Sequence, residues 1–132
     1  MSAYSSRSSL AAYRTVAAHG GVAAADPHQL VVMLMDGALE SIATARGAME
    51  HGSIETKARM LQRAVAIVDE LRASLNLAAG GEIAANLADL YDYVARQLIR
   101  ANAENRKEML DEVSHLLREV RGAWIQIAPR QP

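Results

Sequence analysis

The chain has 132 residues, is 51% hydrophobic and 22% charged, and carries a formal net charge of −1. One domain of this size removes roughly two-thirds of its unfolded surface from water, and its near-neutral balance argues against a nucleic-acid binder, which needs clustered cations to displace counterions from phosphates. The absence of cysteine excludes disulfides, thiolate metal sites and cysteine nucleophiles, and no run approaches the ~18 apolar residues of a membrane span.

From the N-terminus, Ser5 to Ala18 is a short, marginal helix candidate with Leu10, Tyr13 and Val16 on one face. His19-Gly20-Gly21 stops it, and a linker follows to Ala25. Asp26-Pro27-His28-Gln29 is a helix start, with a capping aspartate, proline in the first turn and Gln29 in capping-box position. This helix is predicted to reach about Glu50 and to stop at His51-Gly52. Ser53 is the expected cap of the next helix, whose stripe is Leu61, Ala64, Val65, Val68, Leu71 and Leu75, ending near Leu77. A third helix is expected from Gly80-Gly81 to Asn102, with Ile83, Leu87, Leu90, Tyr91, Val94, Leu98 and Ala101 at three-and-four spacing. Asn105 and Glu108 suggest a capping box for the last helix, which carries Met109, Val113, Leu116, Leu117, Val120 and Trp124 to about Ile127. The fold class that follows is all-α: an antiparallel up-and-down four-helix bundle over residues 26–128, preceded by a lid segment (1–25) with a short extra helix and followed by a tail (129–132).

Two helices are more apolar than one core requires. In the first long helix, Val31, Leu34, Ala38, Ile42, Ala45 and Met49 make the core stripe, and a second set, Val32, Leu39 and Ala43 with Met35 between, extends the apolar arc to about 220°. A helix facing one core needs little more than ~100°. The surplus calls for a cover: the N-terminal segment folded back through Leu10, Tyr13 and Val16, another protein, or both in turn if the segment is displaceable. In the third helix, Ala88, Ala95 and Ile99 widen the apolar face. Tyr91 falls on the core side, whereas Tyr93 falls at an edge, able to stack or to offer its hydroxyl. The partner-binding candidates are therefore Leu10, Tyr13, Val16, Val32, Met35, Leu39, Ala43, Tyr93 and Ile99.

Catalytic signatures are missing. Glu112-Val113-Ser114-His115 has the Glu-x-x-His spacing of di-iron bundles, but those need two copies and two further inward carboxylates. No nucleophile elbow or phosphate loop is present. No catalytic residue, cofactor or metal is expected. The N-terminus lacks the apolar core of a secretory signal, so a cytoplasmic location is the expectation.

Four pieces of the chain, in order, resemble the flagellar secretion chaperone family, the FliS family. They are Ala12-Tyr13 followed by Asp26-Pro27-His28-Gln29-Leu30; Met33-Leu34-Met35-Asp36-Gly37-Ala38-Leu39; Gly80-Gly81-Glu82-Ile83 with Asn86-Leu87 and Leu90-Tyr91-Asp92-Tyr93; and Glu112-Val113, Leu116-Leu117 and Ala123-Trp124. Family members commonly carry an aromatic residue where this chain has Met35. The resemblance implies a non-enzymatic cytoplasmic chaperone that binds the disordered C-terminal region of flagellin one-to-one, prevents premature polymerisation and aids delivery to the flagellar type III export apparatus. It implies an N-terminal segment displaced near the binding surface, and leaves room for a co-chaperone or regulator. An oligomerising structural or regulatory bundle is the alternative use of the same apolar surplus.

Overall fold

A computed structural model describes residues 27–75 and 77–127. They form four helices: α1, Pro27–Glu50; α2, Ile54–Ala73; α3, Leu77–Glu104; and α4, Lys107–Gln126. No strand occurs among the described residues. Each helix packs against its chain neighbour, and α1 also packs against α4, so the four close into a ring. Short connections force antiparallel neighbours.

The side chains confirm that direction. Arg46 grips Asp111 and Arg121 grips Asp36, each with Nε at 2.6 Å, while Lys107 lies 3.4 Å from Glu50. Each step up α1 is matched by the same step back along α4. At the other side of the bundle, Lys57 near the start of α2 reaches Asn102 and Asn105 at the end of α3.

The core is continuous. Leu34, Met35, Ile42, Leu61, Leu71, Tyr91, Leu98, Leu110 and Leu117 supply its bulk. Ala38, Ala45, Ala64 and Ala101 are fully covered, and such small side chains let neighbouring helix backbones approach closely. In α4 the sequence stripe holds at Met109, Val113 and Leu117, but Leu110 is also fully buried and Leu116 only half so.

Helix ends differ from several expectations. The turn after α1 is a Schellman motif: Gly52 adopts φ 72°, Ser53 N–H donates to Ala48 O at 2.8 Å and Gly52 N–H to Met49 O at 3.3 Å. Ser53 occupies the N-cap of α2 without a side-chain cap bond. α2 stops at Ala73, earlier than Leu77, where Ser74 Oγ donates to Leu71 O. The Asn105–Glu108 capping box does not form. Asn105 is instead the left-handed residue that terminates α3 (φ 54°), with Arg106 N–H closing onto Ala101 O, and Arg106 is the N-cap of α4. α3 begins at Leu77, before the Gly80-Gly81 pair, and is interrupted at Gly81 (φ 57°, ψ −132°). Only glycine adopts that backbone region readily. The predicted N-terminal helix and the Asp26 cap lie outside the described residues.

Candidate functional site

The wide apolar arc of α1 has an internal explanation. Because α1 touches both α2 and α4, its buried arc must exceed the single-face requirement. Met35 is 0% exposed and belongs to the core cluster in this structure. Leu39 packs half-buried against that core. Of the second stripe, Val32 is half-buried and Ala43 exposed. Leu10, Tyr13 and Val16 lie outside the described residues.

Apolar concavities are open among the described residues at two places. The first, about 360 Å³, is at the end of the bundle, lined by Val31, Leu71, Leu75, Ile83, Ala84, Leu87, Tyr91 and Trp124 with Ser74 and Gly80. The break at Gly81 helps create it. Ile83, which the three-and-four pattern assigns to the buried stripe, is 73% exposed on its rim. Tyr91 is 2% exposed, and burial pushes its phenol up to about 12, so it stays a protonated donor at neutral pH. No partner for its hydroxyl occurs among the described residues. Beside the concavity, His28 and Trp124 lock α1 to α4: their rings stack at 5.0 Å and 11°, His28 Nε2 donates to Trp124 O at 2.6 Å, and Trp124 Nε1 donates to His28 O at 3.0 Å.

The second concavity, about 350 Å³, is a groove between α2 and α3, lined by Leu61, Gln62, Val65, Leu98, Ile99 and Asn102. Ile99, singled out in the sequence, is 58% exposed there. Tyr93 points elsewhere. Its hydroxyl donates to Glu112 at 2.8 Å, beside Gln97 Nε2 at 3.3 Å, and this bond to a carboxylate raises the phenol above its ordinary range. Tyr93 is thus committed to an α3–α4 clamp.

The Glu112/His115 pair builds no metal site. Glu112 accepts from Tyr93 and Gln97, and His115 faces Glu119 at 3.5 Å. No group of three or more potential ligands occurs among the described residues, and no described helix is long and apolar enough to cross a membrane. The open relief among the described residues is apolar, at the bundle end and between α2 and α3.

Comparison with known proteins gives that surface a context. A family model described as flagellar protein FliS matches residues 9–131. The chain belongs to the FliS family. It is 42% identical to the flagellar secretion chaperone of Vibrio cholerae over 93% of this chain and 90% of that one. It is also 42% identical to the Salmonella typhimurium chaperone, over 93% and 92%. A Pseudomonas aeruginosa flagellar secretion chaperone is 44% identical, over 85% and 89%. FliS proteins are chaperones and not enzymes.

Sequence reasoning missed the end concavity and three buried polar groups. The Gly80-Gly81 pair signalled a break, but not that the chain would be helical on both sides of it. Lys57 is 7% exposed, with Nζ donating to Asn102 O at 3.1 Å and Asn105 Oδ1 at 3.0 Å. Glu70 and Ser41 are each 1% exposed, and neither Glu70 oxygen nor Ser41 Oγ has a partner among the described residues. Lys57 falls on the α2 stripe, one turn before Leu61, whereas Glu70 is at least 100° round the helix from every residue of that stripe, so the periodicity carried no signal for it.

Proposed function

We propose that this chain is a cytoplasmic export chaperone that binds the disordered C-terminal region of flagellin one-to-one, keeps it from polymerising early and helps deliver it to the flagellar export apparatus. The observation that carries this reading is the family: relatives named as flagellar secretion chaperones align over nearly the whole chain. The surface is compatible with it. A helix-forming client presents apolar stripes, and grooves such as the two open concavities cover such stripes by helix-in-groove recognition. A disordered client loses entropy on binding, so a large contact yields moderate affinity, which suits a carrier that must release its cargo.

Sizing the purified chain with and without a peptide of the flagellin C-terminal region tests this. A one-to-one complex is expected. A homo-oligomer of unchanged size in the presence of peptide would overturn the chaperone reading in favour of a self-associating bundle.

A further inference from the structure

We propose that the concavity at the bundle end binds a small neutral molecule, a compact apolar body with one ketone- or ester-like acceptor that takes a hydrogen bond from the Tyr91 hydroxyl. This goes beyond the export-chaperone reading and does not depend on it.

The shape comes from the whole bundle. Val31 of α1, Leu71 of α2, Leu87 of α3 and Trp124 of α4 each supply wall. The space is therefore a bowl, whereas the other concavity is lined by one helix pair. A bowl seats a compact body. Its volume, about 360 Å³, lies at the lower end of the roughly 300–1,000 Å³ of small-molecule sites. The reciprocal bonds between His28 and Trp124 hold the α4 wall in place before a ligand arrives, which keeps the ordering cost of binding low.

Polarity sets the ligand class. No Asp, Glu, Lys or Arg lines the bowl, so an ionised ligand would give up hydration there without a countercharge. Three lining side chains carry a polar atom. Ser74 Oγ already donates to Leu71 O at 2.8 Å, and Trp124 Nε1 to His28 O at 3.0 Å. Tyr91 is the third. It is 2% exposed, and its hydroxyl has no partner among the described residues. The buried side-chain atoms sealed from solvent without a bond are those of Ser41 and Glu70, and the Tyr91 hydroxyl is not one of them. The little of Tyr91 that stays open thus includes its hydroxyl, facing the bowl that Tyr91 lines. Burial pushes the phenol up to about 12, so it keeps its proton and acts as a donor at neutral pH. A pure hydrocarbon would strip water from this hydroxyl and leave it unbonded. A carbonyl replaces the lost bond.

The test is an amide-shift titration of the isotope-labelled full chain with two probes of one shape: acetophenone, and isopropylbenzene, in which a methyl group replaces the carbonyl oxygen. Saturable one-site shifts are expected at residues 80–91 and at the Trp124 indole, with a dissociation constant of about 1 mM or tighter. Isopropylbenzene is the more hydrophobic probe, so the decisive readout is the ratio of the two affinities. Tyr91→Phe removes only the hydroxyl. It should melt like wild type and shift that ratio against acetophenone by about three- to tenfold. Leu87→Trp narrows the bowl and should weaken both probes at least tenfold; if it does not fold, Leu75→Trp does the same from the α2 side. Shifts that never saturate, or that map to residues 61–65 and 98–102, overturn the site. An unchanged ratio in Tyr91→Phe overturns the ligand class. A marked loss of stability in Tyr91→Phe would mean that the hydroxyl is already bonded in the free protein, and overturns the proposal as well.

Discussion

At the residue scale, three side chains do what no hydrophobic pattern announces. Lys57 buries its stem and gives its ammonium to the last turn of α3. Asn105, in the left-handed conformation, closes one orphan carbonyl at Ala101 through Arg106 N–H, and Lys57 satisfies the next at Asn102. Lys57→Met keeps the packing and removes both bonds. Denaturant titration should show a loss of about 1.5–3 kcal/mol, the range for hydrogen bonds to charged groups; an unchanged midpoint would refute this role. Glu70 is the converse. A carboxyl group 1% exposed with no partner among the described residues is a net burden, because a buried polar group left unsatisfied costs about 1–3 kcal/mol. Glu70→Met should therefore raise the unfolding midpoint, and a fall would mean that Glu70 has a structural partner. Such groups were illegible in the sequence because helical spacing reports which face a residue occupies, not what lies opposite it.

At the element scale, the periodicity was a good guide to helices and a poor guide to where they end. Leu87, Tyr91, Val94, Leu98 and Ala101 follow the three-and-four pattern into the core or against it. Ile83 follows the same pattern and does not, because Gly81 resets the helical phase between the two parts of α3. The same break decides the shape of the end concavity. A side chain at Gly81 would have to hold φ 57°, ψ −132°, at about 1–3 kcal/mol. Gly81→Ala should lower thermal stability by that amount. If α3 instead straightens, Ile83 becomes protected, and hydrogen exchange across residues 80–87 distinguishes the two costs. No change in either measurement would show that the kink is unimportant. The width of α1 was legible as a fact but not as a cause: the wheel counts apolar positions, and only topology reveals that α1 has two neighbours to cover. Met35 is the residue on which that difference turns. Ile99 was legible because it lies outside the core stripe and stays 58% exposed, whereas Tyr93 finds a partner, Glu112, on another helix.

At the scale of the whole molecule, acid acts on the bundle in two opposite senses. Asp111 is hydrogen-bonded by Arg46 across the α1–α4 seam, with Arg46, Lys107 and Arg118 adding attraction, and its carboxyl is held below the ordinary range. A depressed folded pKa contributes stability that is fully present above the unfolded value, about 4, and is lost as pH falls through the folded value. The contribution is small, since Asp111 is 53% exposed and solvent screens it. Asp69 behaves in reverse. Desolvation, with Asp92 adding to it, raises its folded pKa, so its cost is absent below the unfolded value and grows as pH rises through the folded one. The two substitutions should therefore bracket wild type at neutral pH. Asp111→Asn melts slightly lower and Asp69→Asn slightly higher, and both differences shrink in acid. The Asp69 difference closes on entering the carboxylate range, and the Asp111 difference closes only below it. Melting curves of the three proteins from pH 7 to pH 3 provide the check. If Asp69→Asn melted lower than wild type at pH 7, the half-buried Asp69 carboxylate would be a source of stability rather than a cost, and desolvation would not be the dominant influence on it.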